Sequence, residues 1–88
     1  MTFNLNYDSE ALKVLRKMDP YQRKLILKWI HNNLNNCTDP RSMGKPLKAS
    51  LNDFWRYRVG QYRIIVEIKD AELMIIIVNV GNRRDVCK

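Results

Sequence analysis

The sequence predicts an α+β domain in the order β-α-α-β-β-β, with a helical hairpin packed on one face of a mainly antiparallel, twisted sheet. Three observations carry this. Two stretches with helically spaced apolar residues meet at Asp19-Pro20. Three stretches rich in β-branched and aromatic residues follow in the second half, separated by short breaks. The 88 residues suffice for one compact domain, 1–88.

Phe3, Leu5 and Tyr7 alternate with polar residues, the pattern of a short half-buried strand. Asp8 is placed to cap a helix running to about Met18, with Ala11, Leu15 and Met18 on one face. Asp19-Pro20 restarts the helix: Asp caps it, Pro takes the first helical position, and Gln22 lies three residues past the cap. This second helix extends to about Asn35. Tyr21, Leu25, Trp29, Ile30 and Leu34 are expected as its apolar stripe, opposite Lys24, Lys28 and Asn32. Residues 36–53 contain Asp39-Pro40, Gly44, Pro46 and Asn52-Asp53 and read as a loop. Trp55–Val59 and Tyr62–Ile68 flank Gly60-Gln61, a two-residue break with Gly first, which suits a type II′ hairpin turn. Asp70-Ala71 is the next turn, and Leu73–Val80, the most apolar run, is expected at the centre of the sheet.

Sixteen Lys and Arg against nine Asp and Glu give a net charge of +7, which points to a polyanion or an acidic partner. The local pattern is sharper, because residues 55–63 hold three arginines and no acid. If Gly60-Gln61 is the turn, Arg58 faces Arg63 and Arg56 faces Ile65. Trp55, Tyr57, Val59, Tyr62, Ile64 and Val66 then share the helix-covered face, and Arg56, Arg58 and Arg63 share the other. Like charges directly opposite one another destabilise a sheet, and the carboxylate of Glu67 cannot neutralise three guanidinium groups. The cluster therefore reads as an anion site. Asn82-Arg83-Arg84, after the last strand, are expected beside the Gly60 end of the hairpin. Arginine forks bind phosphate in a bidentate way, so a phosphodiester fits better than a generic acidic patch.

Other chemistries are excluded by what the chain lacks. The single histidine, His31, lies among polar residues on the second helix, which rules out a two-histidine ribonuclease site. No His, Cys and Asp residues have metal-ligand spacing, no glycine-rich phosphate loop occurs, and no cofactor is expected. Cys37 and Cys87 are too few and too far apart for a disulfide framework and read as reduced thiols. No signal peptide or membrane-spanning run is recognisable.

The runs Gly44-Lys45-Pro46-Leu47, Phe54 through Ile65 and Val80-Gly81-Asn82-Arg83-Arg84-Asp85-Val86 resemble the RelE branch of the RelE/ParE toxin superfamily. The resemblance implies a RelE-like fold and the toxin of a type II toxin–antitoxin system. It implies a ribosome-dependent, metal-independent mRNA endoribonuclease that inhibits translation, in which the ribose 2′-hydroxyl attacks the adjacent phosphate. By position it assigns catalysis to Arg56, Arg58, Arg63 and Arg83, and RNA contacts to Lys45, Lys48, Asn82, Arg84 and Cys87. Many relatives carry His at the position of Asn82 and Tyr at that of Cys87. The implied partners are an acidic RelB-like antitoxin, the ribosome with mRNA in its A site, and operator DNA through the antitoxin only. No membrane is involved, and the implied location is the bacterial cytoplasm. Two alternatives stay open: a ParE-like gyrase poison, and a catalytically weak member acting mainly in an antitoxin–operator repressor complex.

Overall fold

A computed structural model describes residues 1–48 and 51–82. Its elements are β1 (Asn4–Tyr7), α1 (Ser9–Lys17), α2 (Pro20–Asn33), β2 (Lys45–Lys48), β3 (Leu51–Val59), β4 (Tyr62–Lys69) and β5 (Met74–Asn82), with short 3₁₀ turns at Pro40–Ser42 and Asp70–Glu72. The sheet order is β1-β5-β4-β3-β2. β1 runs parallel to β5 and the other three pairings are antiparallel. The sheet is thus mainly antiparallel, as expected, with β5 interior but β4 in the middle.

Both helices start as their residues dictate. The Asp8 side chain accepts from the Glu10 amide, and that of Asp19 accepts from the amides of Tyr21 and Gln22, with Pro20 at the first helical position. These caps satisfy amides that have no partner within the helix. Ala11 and Leu15 of α1 and Ile26 and Ile30 of α2 face the sheet and join Phe3, Leu34, Tyr57, Ile64, Val66, Ile68, Ile75, Ile77 and Val80 in one core. The expected stripe of α2 is corrected here. Tyr21 and Leu25 are 67% and 45% exposed, and the buried line is Ile26, Ile30 and Leu34, with Trp29 at its border. Both lines keep helical spacing, so periodicity alone does not choose between them; the docking of the helix on the sheet does.

The reading of residues 36–53 as a loop is also corrected. β2 occupies Lys45–Lys48 at the sheet edge, and β3 begins at Leu51 rather than Trp55. Pro46 is compatible with this because an edge strand has one side on which no ladder donor is needed. β4 and β5 change register between Ile65 and Val66, leaving Val78 as an extra residue in β5. This bulge shifts the inward positions of β5 from Ile75 and Ile77 to Val80, so the strand keeps an apolar side against the helices throughout.

Candidate anion-binding site

The β3–β4 hairpin forms with the expected register: Val59 faces Tyr62, Arg58 faces Arg63, Tyr57 faces Ile64, and Arg56 faces Ile65. Gly60 supplies a positive φ of 59°, and Gln61 has no positive φ, consistent with a type II′ turn. Side chains alternate across the sheet. Tyr57, Ile64 and Val66 are buried under the helices with Trp55, Val59 and Tyr62 packed beside them, and the arginines project from the opposite face.

There, Arg56, Arg58 and Arg63 line an open cleft of about 310 Å³ together with Gly44, Lys45 and Tyr57. Lys45 enters because it is the register partner of Arg56 across β2–β3. No ion pair among the described residues involves Lys45, Arg56, Arg58 or Arg63. Glu67, the acid expected nearby, instead lies 3.7 Å from Lys69. Among the described residues the cleft therefore holds four cations and no carboxylate, an arrangement that costs folding energy and favours a bound anion.

One wall of the cleft is held from behind by the inward-facing residues of β3. The Tyr57 hydroxyl donates to the carbonyl of Pro40, and Trp55 Nε1 donates to the carbonyl of Met43 at 2.6 Å. The Arg41 guanidinium forms a two-pronged pair with Asp70 at 2.8 and 3.0 Å and sits 5.8 Å from the centre of the Trp55 ring. The partnership raises the pKa of Arg41 and lowers that of Asp70. Burial pushes the Tyr57 phenol well above its ordinary range, so it is a fixed donor rather than a proton acceptor. Segment 40–44 is thus strapped to β3, and Gly44 ends it with a φ of 75°. A Cβ at Gly44 would overlap the Arg56 carbonyl and lie 2.8 Å from the Tyr57 ring, so only glycine lets the chain pass this close and deliver Lys45.

Of the residues assigned to the site by sequence, Lys45, Arg56, Arg58 and Arg63 come together. Lys48 is the last residue of β2. Asn82 faces Tyr62 in register and lines a groove on the helix side with Lys17, Met18 and Asp19, away from the arginine cleft. Arg83, Arg84 and Cys87 lie outside the described residues. Sequence reasoning missed the strap residues Arg41, Trp55 and Tyr57 and the reason for Gly44. It also missed Phe54, which alternation places on the arginine face opposite Glu67. The available signal was Gly44-Lys45-Pro46, a glycine–cation pair just before an edge-compatible proline.

A basic α+β domain with a sheet-borne arginine cleft defines a class, the small toxins of type II toxin–antitoxin systems. Residues 5–86 match the family described as ParE toxin of type II toxin–antitoxin system, parDE, and the chain belongs to this family, within the RelE/ParE superfamily. It is 26% identical over 86 residues to Toxin RelG of Mycobacterium tuberculosis, covering 98% of this chain and 97% of that protein. Its fold is similar to the toxin–antitoxin complex RelBE2 of the same organism, with a TM-score of 0.81 at 24% identity over 94% of this chain and 93% of that one. The isolated RelE toxin of E. coli superimposes with a TM-score of 0.72 at 21% identity, covering 91% of this chain and 83% of that one. Two helices packed on a mixed five-stranded sheet are common to these structures and this one. No helix among the described residues is long and apolar enough to cross a membrane.

Proposed function

We propose that this type II toxin is a RelE-like endoribonuclease that cuts mRNA on the ribosome without a metal and thereby halts translation. The observation that carries the reading is the cleft in which Lys45, Arg56, Arg58 and Arg63 converge with no neutralising carboxylate among the described residues. In the reaction the ribose 2′-oxygen bonds to the adjacent phosphorus as the bond from phosphorus to the 5′-oxygen breaks. The products are a 2′,3′-cyclic phosphate and a free 5′-hydroxyl. Guanidinium groups stay protonated near neutrality and are poor bases. Arg58 and Arg63 instead bind the scissile phosphate and stabilise the charge that grows on its oxygens, an effect typically worth ~3 kcal/mol per donor. Arg56 and Lys45 extend the positive surface. By family position Arg83 is assigned a catalytic role and Lys48, Arg84 and Cys87 RNA contacts, with Asn82 contacting RNA from its own groove on the helix side.

The partners follow from the same surface. An acidic antitoxin that folds on binding would cover the arginine face and inactivate it. Complexes of related toxins with RelB antitoxins, as in RelBE2, support such a partner. Operator DNA is reached through the antitoxin, and the site of action is the bacterial cytoplasm, where the ribosomes are.

The test is translation in a purified system followed by mapping of mRNA 5′ ends. Codon-phased cuts that appear only with ribosomes are expected. Intact mRNA with blocked DNA supercoiling would assign the chain to gyrase poisoning instead. Intact mRNA and unaffected gyrase, with antitoxin binding alone, would leave a repressor component.

A further inference from the structure

We infer that the cleft is a two-phosphate site, built to hold two consecutive phosphates of one RNA strand that crosses β3 obliquely. The inference rests on the RNA-cleaving reading of the cleft and adds what that reading leaves open, namely the length and placement of the bound segment. Its basis is the register. Arg58 and Arg63 are direct cross-strand partners, and so are Arg56 and Lys45. The four cations therefore form two rungs, one across β3–β4 and one across β2–β3. Both project into the same cleft. Arg56 and Arg58 are two residues apart on β3, about 7 Å at the ordinary rise of a strand, and the rungs extend to opposite sides of β3, so their centres lie about 8 Å apart on a diagonal. That is the order of the spacing between successive phosphates in one nucleic-acid strand, which lets each rung take one phosphate.

Among the described residues, no third cation rung adjoins these two. Beyond Arg58 and Arg63 the chain turns at Gly60-Gln61. Before Arg56 and Lys45, the next position of β3 on this face is Phe54, whose partner is Glu67. That rung offers a ring and a carboxylate already close to Lys69, and it repels a third phosphate. The site formed by the described residues is consequently two rungs long. The Arg58–Arg63 rung, formed by two guanidiniums, holds the scissile phosphate. The Arg56–Lys45 rung holds its neighbour and fixes the direction of the strand. Gly44 serves the second rung, because without its close approach to Arg56 the backbone of Lys45 would not reach register.

The experiment uses the full chain with 2′-O-methyl oligouridylates lacking terminal phosphates, in which the attacking hydroxyl is blocked. The dinucleotide has one phosphate, the trinucleotide two and the tetranucleotide three. Affinities come from chemical-shift titration at constant low salt. The second phosphate should tighten binding about tenfold, the gain of one charge-assisted contact, and the third by under about threefold. Lys45→Gln and Arg56→Gln should cut the gain from the second phosphate to under about threefold, weakening the trinucleotide more than the dinucleotide. Arg63→Gln should weaken all three ligands alike and keep the gain. Affinity that climbs evenly with each phosphate, or a Lys45→Gln variant that weakens dinucleotide and trinucleotide equally, overturns the two-rung site. Lys45 is exposed on an edge strand, so its substitution leaves the core intact, and thermal melts verify this. The two readings fail separately. A clear second-phosphate gain without mRNA cleavage removes the ribonuclease reading and keeps the site. Codon-phased cleavage without that gain does the reverse.

Discussion

Tyr57 and Gly44 shape the arginine cleft but have no part in the proposed chemistry. Tyr57 sits between Arg56 and Arg58 but points the other way, 2% exposed, with its ring 5.5 Å from that of Trp29 and its hydroxyl on the Pro40 carbonyl. Burial raises its pKa, so the folded state keeps the phenolic proton at pH values where the unfolded chain, near pKa 10, has lost it. The linkage is therefore fully stabilising below about pH 10 and is lost as pH rises above it, by at most about 1.4 kcal/mol per pH unit from this group. Tyr57→Phe should show a shallower fall in stability above about pH 10 than wild type, together with a loss of about 1 kcal/mol near neutrality for the missing hydrogen bond. Urea melts between pH 8 and 11 measure both, and parallel curves would mean that the phenol is not the titrating group. At Gly44 the expectation is different. Gly44→Ala must move the strap or the Arg56 carbonyl and carries the strain of a positive φ, so it should cost about 1–3 kcal/mol. RNA cleavage per folded molecule should also drop, whereas a change confined to stability would remove Gly44 from any positioning role.

At the scale of elements, β3 divides its labour by alternation. Its inward residues, Trp55 and Tyr57, hold the strap; its outward ones, Arg56 and Arg58, make the cleft. The hairpin was legible from sequence because Gly60-Gln61 fixes the turn and the turn fixes the register, and with it the Arg58–Arg63 opposition. β2 was not legible. Its signals, a four-residue length and Pro46, are those of a loop, and what makes it a strand is the ladder offered by β3. Lys45 was thus assignable only by family resemblance until the pairing with Arg56 placed it. The buried line of α2 was hidden for a related reason, since two helical stripes compete and only docking selects Ile26 over Leu25. The Arg41–Asp70 clasp, joining the strap to the β4–β5 turn, spans 29 positions and left no local pattern. Its Asp70 side chain is 57% exposed, so the ion pair itself should contribute little. A double-mutant cycle of Arg41→Gln and Asp70→Asn is expected to give a coupling below about 1 kcal/mol, measured by denaturant melts. Coupling well above this would show that the clasp is a principal support of the strap.

The molecule as a whole places its core and its arginine cleft on opposite sides of one sheet, and adjacent residues test whether stability and the proposed activity separate in the same way. Arg63 and Ile64 are neighbours on β4 that point to opposite faces: the first lines the cleft, and the second is 0% exposed beneath the helices. Arg63→Ala removes no core contact and relieves repulsion with Arg58, so its stability should stay within about 0.5 kcal/mol of wild type or rise slightly. Cleavage should fall on the order of 100-fold or more, because a charge-stabilising donor is lost from the phosphate. Ile64→Val reverses the pattern. Deleting one buried methylene group costs about 0.5–1.5 kcal/mol. In a domain of this size that lowers the melting temperature by roughly 2–12 °C, at about 4–8 °C per kcal/mol. The conservative change is the useful one, since a small core leaves little margin and a larger truncation risks unfolding the chain. Cleavage by Ile64→Val, measured well below its melting temperature and normalised to folded protein, should match wild type. The measurements are calorimetric melts alongside mRNA cleavage in the purified translation system. An Arg63→Ala protein that melts early would make the arginine a structural element. An Ile64→Val protein that stays fully folded but cuts slowly would show that core packing sets the arginine geometry, so that the two faces are not independent.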